Sequence, residues 1–185
     1  MDFPFRLPKA IQALALLAKS YKSQQIYYLR AIKLLYIAER ESLKEIGRPI
    51  IGDRVFAMKN GPVLSTVLNY IQGKRHSSIW SNTFRKDGHF LTLVSDPGDD
   101  ALSEYEIEKL KSIEKRFEDL TRWKICDLTH EFPEWRQYDP GESSRRIPLT
   151  AILHALQCTP EQIKAILEEA TYEKHIDSVL GSPIS

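Results

Sequence analysis

VFAMKNGPVLSTVLNYIQG, Val55 to Gly73, runs a short apolar stretch into an amphipathic one through an Asn-Gly-Pro break. The pattern predicts strand, tight turn and helix. Gly61 supplies backbone freedom, and Pro62 presets the first helical φ at a position where a missing N–H costs no intrahelical bond. From there Val63, Val67, Leu68 and Ile71 recur at helical spacing with Ser65, Asn69 and Gln72 between them, so one face is apolar and the other polar. Gly73 is the expected stop.

Upstream, Phe3, Phe5 and Leu7 alternate with prolines in an extended lead-in, and Pro8 opens a helix over Lys9 to Tyr21. A second helix, about Ile26 to Ile46, carries Tyr28, Ile32, Leu35, Tyr36, Leu43 and Ile46 at helical intervals. It is the longest periodic stretch and the expected centre of the fold. Downstream, Asn82 to Lys86 and His89 to Val94 flank Asp87-Gly88, a pair suited to a type I′ hairpin turn. That register sets Phe84 opposite Leu91, with Leu93 on the same face and Arg85 and Phe90 on the other. The strand Val55 to Met58 is expected to pair with this hairpin. Ser103 with Glu106 forms a capping box for a helix to about Leu120, a further helix spans Arg122 to His130, and Tyr138 to Arg146 reads as a linker. Helices at Leu149 to Leu156 and from Thr159-Pro160 to about His175 complete the chain. The expected class is mainly α (α+β): a compact helical domain with a small antiparallel sheet of about three short strands. Residues 1–140 form the domain, and residues 141–185 a linker and C-terminal helices packed on it or extending it.

Composition narrows function. The 185 residues are 42% hydrophobic and 28% charged, ordinary for a soluble globular chain. Lys plus Arg number 26 against 25 Asp plus Glu, so no net charge recruits nucleic acid or an anionic membrane. No segment has the roughly 18 consecutive apolar residues of a transmembrane helix. Two cysteines are too few for a disulfide scaffold and favour the cytoplasm.

Cys126 and His130 stand four apart, as do His154 and Cys158, so each pair shares a helix face and the four together have the donor set of a Cys₂His₂ zinc site. Nothing in the sequence brings the pairs together, the C-x₂-C spacing of common zinc modules is missing, and both cysteines sit among apolar residues. Packing is the better reading, and it also outweighs a Cys126–His130 nucleophile and base, which has no orienting third group. His130-Glu131 does not continue to H-E-x-x-H, and no phosphate loop, dinucleotide fingerprint or nucleophile elbow occurs. The sequence therefore predicts neither enzyme, metal nor cofactor. Basic residues cluster only at Lys74-Arg75-His76 and Arg145-Arg146, short of the continuous stripe that nucleic acid needs. A helix before a hairpin suggests a winged-helix DNA binder, yet that helix has few basic residues for phosphates. Trp80 and Phe84 lie in a polar, Ser-rich stretch; they either anchor a protein partner from the surface or cover the sheet.

Tyr28 to Gly73 resembles the Panacea domain, the SocA-like, phage-associated family in which a KLLYYA-type helix leads to a strand and an A-x-x-x-GP-V turn. Here the elements are Lys33-Leu34-Leu35-Tyr36-Ile37-Ala38 and Ala57-Met58-Lys59-Asn60-Gly61-Pro62-Val63. Leu102-Ser103 with Glu106, then Leu128-Thr129-His130-Glu131 with Pro133 and Trp135, match the family's L-S-x-x-E and T-H-x-x-x-P-W regions, although Glu134 separates Pro133 from Trp135. The similarity covers about Lys9 to Pro140. It implies an antitoxin that holds a cognate toxin by direct contact; one member of the family is instead an adaptor that delivers its toxin to a AAA+ protease. Lys33, Leu35, Tyr36, Ala57, Gly61, Pro62, Ser103, Thr129, His130 and Trp135 are then scaffold positions, with Tyr36 and Trp135 buried. Partner choice falls to variable surfaces, Gly73 to Arg85 and Arg145 to Ser185, with Lys74, Arg75, Trp80, Phe84, Arg145 and Arg146 as contacts. The turn is a frame from which residues 74–84 are presented.

Overall fold

A central helix threads the fold. The computed structural model describes residues 2–181; Met1 of the lead-in and residues 182–185 of the C-terminal segment lie outside the described residues. The elements run α1 (Leu7–Lys19), β1 (Gln25–Tyr27), α2 (Tyr28–Ile46), β2 (Val55–Met58), β3 (Gly61–Leu64), α3 (Ser65–Ile71), α4 (Ser78–Thr83), β4 (Phe84–Asp87), β5 (Phe90–Leu93), α5 (Glu104–Arg116), α6 (Arg122–His130), α7 (Pro133–Gln137), β6 (Arg145–Ile147), α8 (Leu149–Ala155) and α9 (Pro160–Leu180). Arg30 to Glu39 of α2 is buried without interruption, because α1, α5, α6 and β3 pack around it. A stretch enclosed on all sides must be largely apolar, and Ala31, Ile32 and Leu34 to Ala38 are. The charges it does carry need internal partners. Arg30, for instance, donates to the carbonyls of Phe117 and Leu120 and pairs with Glu114 at 3.2 Å.

The two caps read from the sequence hold: Ser103 and Glu106 form the capping box of α5, and Thr159 with Gln162 boxes α9 behind Pro160. Thr121, not singled out in the sequence, caps α6. Two small antiparallel sheets stand in place of one, in the orders β1-β5-β4 and β3-β2-β6. β2 therefore does not pair with the Asn82–Val94 hairpin; it pairs with β3 and β6. The hairpin pairs instead with β1, whose Ile26 and Tyr27 were expected at the start of α2. Its packed face is the expected one, with Phe84, Leu91 and Leu93 buried. Its register is shifted: Phe84 stands opposite Leu93, and Asp87 enters the ladder opposite Phe90, leaving Gly88-His89 as the loop.

The opening stretch also differs in detail. Pro62 lies in strand β3, opposite Ala57, and the helix starts at Ser65. Its cap comes from far upstream: Asp53 Oδ2 accepts from the backbone N–H groups of Thr66 at 2.7 Å and Val67 at 2.9 Å. A carboxylate suits the positive end of a helix. The expected linker contains β6, which extends the β2–β3 hairpin, and α8 packs on α2 and α7. α9 is tied back to the lead-in by Arg6–Asp177 at 2.8 Å.

Candidate functional site

The β2–β3 hairpin delivers Gly61 and Pro62 against α2 and α6. Gly61 has φ +94°, and a Cβ there would stand 2.6 Å from Thr129 Oγ1 and 2.9 Å from Lys33 Nζ. Only glycine permits both that backbone conformation and that approach. Lys33, fully buried, donates to the Pro62 carbonyl at 2.5 Å. Burial without a carboxylate partner pushes its amine down to about 7, against the opposing pull of Cys126. Thr129 is likewise fully buried and donates to the Cys126 carbonyl at 2.8 Å. His130 stacks on Trp135 at 4.2 Å between centroids, and the Trp135 indole N–H donates to the Met58 carbonyl at 3.2 Å. The turn is thus clasped from the far end of α6 and from α7.

Beside it lies a buried ionic knot. Glu134, with no exposed surface, accepts from Tyr36 Oη at 2.8 Å and Arg40 Nε at 2.7 Å on the same carboxylate oxygen. Phe132 covers it, with the Arg40 guanidinium 4.4 Å from its ring centroid. Burial, then the Glu134 charge, hold the Tyr36 phenol well above its ordinary value. The residue that interrupts the family pattern between Pro133 and Trp135 is therefore the one that binds α7 to α2. Glu39 performs a similar service one turn along, accepting from the N–H groups of Ile51 at 2.6 Å and Gly52 at 3.2 Å. Burial raises its carboxyl to about 8, with those N–H groups working the other way.

The chemistry available to this cluster is structural. Burial raises the Cys126 thiol and lowers the His130 imidazole, the opposite of what a thiolate–imidazolium pair needs. Lys33 and Thr129 have no open face through which a substrate would reach them. Cys126 is buried in the middle of α6, whereas Cys158 is half-buried in the link between α8 and α9, so His154 and Cys158 do not share a helix face as expected, and among the described residues no group of three or more His, Cys, Asp or Glu stands where it could hold a metal ion. No helix among them is long and apolar enough to cross a membrane.

A family model described as "Antitoxin SocA-like, Panacea domain" matches residues 32–136. The chain belongs to the SocA-like Panacea antitoxin family. The matched span begins on α2, ends within α7, and contains Lys33, Tyr36, Gly61, Pro62, Thr129, His130 and Trp135, so the clasp lies wholly within the Panacea domain. No match was found among curated proteins or among solved structures.

The residues assigned to partner contact separate into two groups. Trp80 is 7% exposed and Phe84 5%, so neither is a surface anchor; Trp80 stacks between Tyr70 at 5.1 Å and Phe84 at 5.0 Å and closes the core over the hairpin. Lys74, Arg75 and Arg145 are exposed, whereas Arg146, also exposed, pairs with Asp2. Lys74 and Ser144 border one depression of about 340 Å³ floored by Phe56, Met58 and Leu68, which brings the two basic segments to one side of the second sheet. α3 and α4, the helices ahead of the hairpin, contain no Lys or Arg. Of the expected buried scaffold pair, Tyr36 is fully enclosed and Trp135 only half-buried. Glu134 and Asp53 escaped sequence reasoning. The signal for Glu134 was Tyr36 and Arg40, four apart on one face of an apolar helix and therefore in want of a shared partner.

Proposed function

We propose that this Panacea-domain protein is the antitoxin of a toxin–antitoxin pair and neutralises its toxin by direct protein contact in the cytoplasm. The supporting observation is the family match over residues 32–136. In this reading the Lys33–Gly61–Thr129 clasp and the Tyr36–Glu134–Arg40 knot stabilise a fixed frame, and the exposed side chains around it meet the toxin; Lys74, Arg75 and Arg145 are candidates for that contact. Neutralisation requires occlusion alone, so no catalytic group is called for. The charge balance of the chain and the basic-poor helices before the hairpin favour a protein partner over DNA.

Co-expression with the product of the adjacent reading frame tests the proposal. Growth should be restored while the toxin persists and copurifies at fixed stoichiometry. Failure of both rescue and copurification sinks the reading, and rescue through toxin loss that depends on a AAA+ protease would replace neutralisation with delivery.

A further inference from the structure

One surface feature is built with more care than solvent requires. Tyr27 of β1 and Phe90 of β5 are directly paired across the sheet, and their rings stack at 4.2 Å. Arg122, the first residue of α6, lies over Tyr27 at 4.0 Å and over Trp123 at 5.0 Å. The four side chains make a continuous ladder, Phe90–Tyr27–Arg122–Trp123, from the hairpin to the start of α6. Trp123 is 53% exposed, and the other three are half-buried.

The guanidinium in this ladder is unclaimed. Arg6, Arg30, Arg40, Arg48, Arg116, Arg136 and Arg146 each pair with a carboxylate. Among the described residues Arg54, Arg75, Arg85, Arg122 and Arg145 have neither an ion pair nor a side-chain hydrogen bond, and of these five Arg122 is the one held over aromatic rings. Asp87, across the sheet from Phe90, and Asp127, further along α6, leave it free. Stacking on rings restricts the guanidinium and removes rotamer freedom in advance, and its N–H donors, which have no partner among the described residues, suit a bidentate acceptor. Trp, Tyr and Arg around one partly desolvated centre is also the composition of an interface hot spot.

We infer that the Phe90–Tyr27–Arg122–Trp123 ladder is the anchor at which the toxin docks, with Arg122 receiving an Asp or Glu carboxylate of the toxin and Trp123 covering apolar surface beside it. This rests on the neutralisation reading above and adds a location and a chemistry to it. It also puts the anchor away from Lys74 and Arg145, whose side chains have no comparable support.

The test titrates the purified product of the adjacent reading frame into the full chain and its variants by calorimetry, with a melting curve for each. Arg122→Glu and Trp123→Ala should each weaken binding by roughly 30-fold or more, the scale of a hot-spot truncation. Lys111→Glu, a charge reversal at an exposed position of α5, should change it little. Among Asp→Lys and Glu→Lys variants of the toxin, one should restore binding to Arg122→Glu. Trp123→Ala removes a mostly exposed ring, so it keeps the test decisive where Arg122→Glu melts early. Wild-type affinity in Trp123→Ala, equal losses in all three variants, or no restoring toxin variant overturns the anchor. A wild-type chain that neither binds nor rescues refutes the neutralisation reading instead. Quenching of Trp123 fluorescence by oligo-dT in an Arg122-dependent manner, without toxin binding there, would assign the ladder to single-stranded nucleic acid and overturn the proposal.

Discussion

Replacing Gly61 by Ala adds a single methyl group at the tightest point of the Panacea motif. Two costs follow. At φ +94° an L-residue is strained by on the order of 1–3 kcal/mol. The methyl would also stand 2.6 Å from Thr129 Oγ1 and 2.9 Å from Lys33 Nζ, and both of those residues are fully buried. Lys33 cannot yield without losing its hydrogen bond to the Pro62 carbonyl, and Thr129 cannot without disturbing the last turn of α6. Overpacking of a closed site costs about 1–3 kcal/mol, so the whole penalty is about 2–6 kcal/mol. For a chain of this size that lowers the midpoint by on the order of 10 °C, readable by scanning calorimetry or urea melts. Gly73→Ala is the control, since Gly73 has φ +69° and nothing within 4 Å of a would-be Cβ; it should show the backbone cost alone. Adding Thr129→Ala to Gly61→Ala should recover about 1–2 kcal/mol relative to additivity, because the colliding oxygen is gone. Equal midpoints for Gly61→Ala and Gly73→Ala, or strict additivity in the double variant, would refute the collision.

Lys33→Met should stabilise the protein most at low pH. With a folded value near 7 against 10.5 unfolded, the native state binds fewer protons, so the charging penalty is full below about pH 7 and fades as pH rises towards 10.5. The difference between Lys33→Met and wild type should therefore shrink by about 3 kcal/mol between pH 6 and pH 9, and taking that difference cancels the opposite trend of Glu39; a pH-independent difference contradicts a neutral buried amine. Glu134→Ala strands Arg40 and Tyr36 and should cost about 3–5 kcal/mol by urea melts, with Glu134→Gln milder; a loss under about 1 kcal/mol would remove Glu134 from the frame. Trp80→Ala should cost about 3–5 kcal/mol of stability, yet leave toxin affinity unchanged when measured well below its melting point. Trp135→Ala, whose ring is only half-buried, should cost nearer 2–3 kcal/mol, mostly through the lost His130 stack and the Met58 hydrogen bond.

Local signals in the sequence carried far where the chemistry is itself local. The boxes at Ser103 and Thr159 set helix starts because cap and capped N–H are three residues apart. The buried face of the hairpin followed from alternation. What failed was whatever depends on distant chain. Pro62 has the right φ to begin a helix, but β2 offers Gly61 to Leu64 a strand partner, and Asp53 caps the helix later at Thr66 and Val67. Asp87-Gly88 is a good turn pair, but β5 is also held by β1, and Tyr27 opposite Phe90 draws Asp87 into the ladder. Trp80, flanked in sequence by serines and asparagine, reads there as either a surface anchor or a cover for the sheet; α4 turns it onto Tyr70, a residue from the preceding helix, and so decides for the cover.

The Asn60-Gly61-Pro62 turn remains the point from which the domain is organised, but its job is inward. Every motif side chain it touches is buried or half-buried, so under the proposed neutralisation the shared Panacea residues have almost no surface with which to distinguish one toxin from another. Recognition must then come from side chains that the frame positions without enclosing. α6 shows how the two duties divide along one helix. Thr129 and His130 at its last turn lock into the Gly61 turn, while Arg122 and Trp123 at its first turn stand at the surface on Tyr27. Because a nine-residue helix is rigid over its roughly 13 Å, clasping one end fixes the direction in which the other is presented. Loosening the clasp should thus weaken toxin binding through misplacement of Arg122, even in Gly61→Ala protein held below its melting point, whereas Gly73→Ala should bind normally. If both bind alike and tightly, the clasp contributes only stability, and the surface end of α6 is positioned by the hairpin alone.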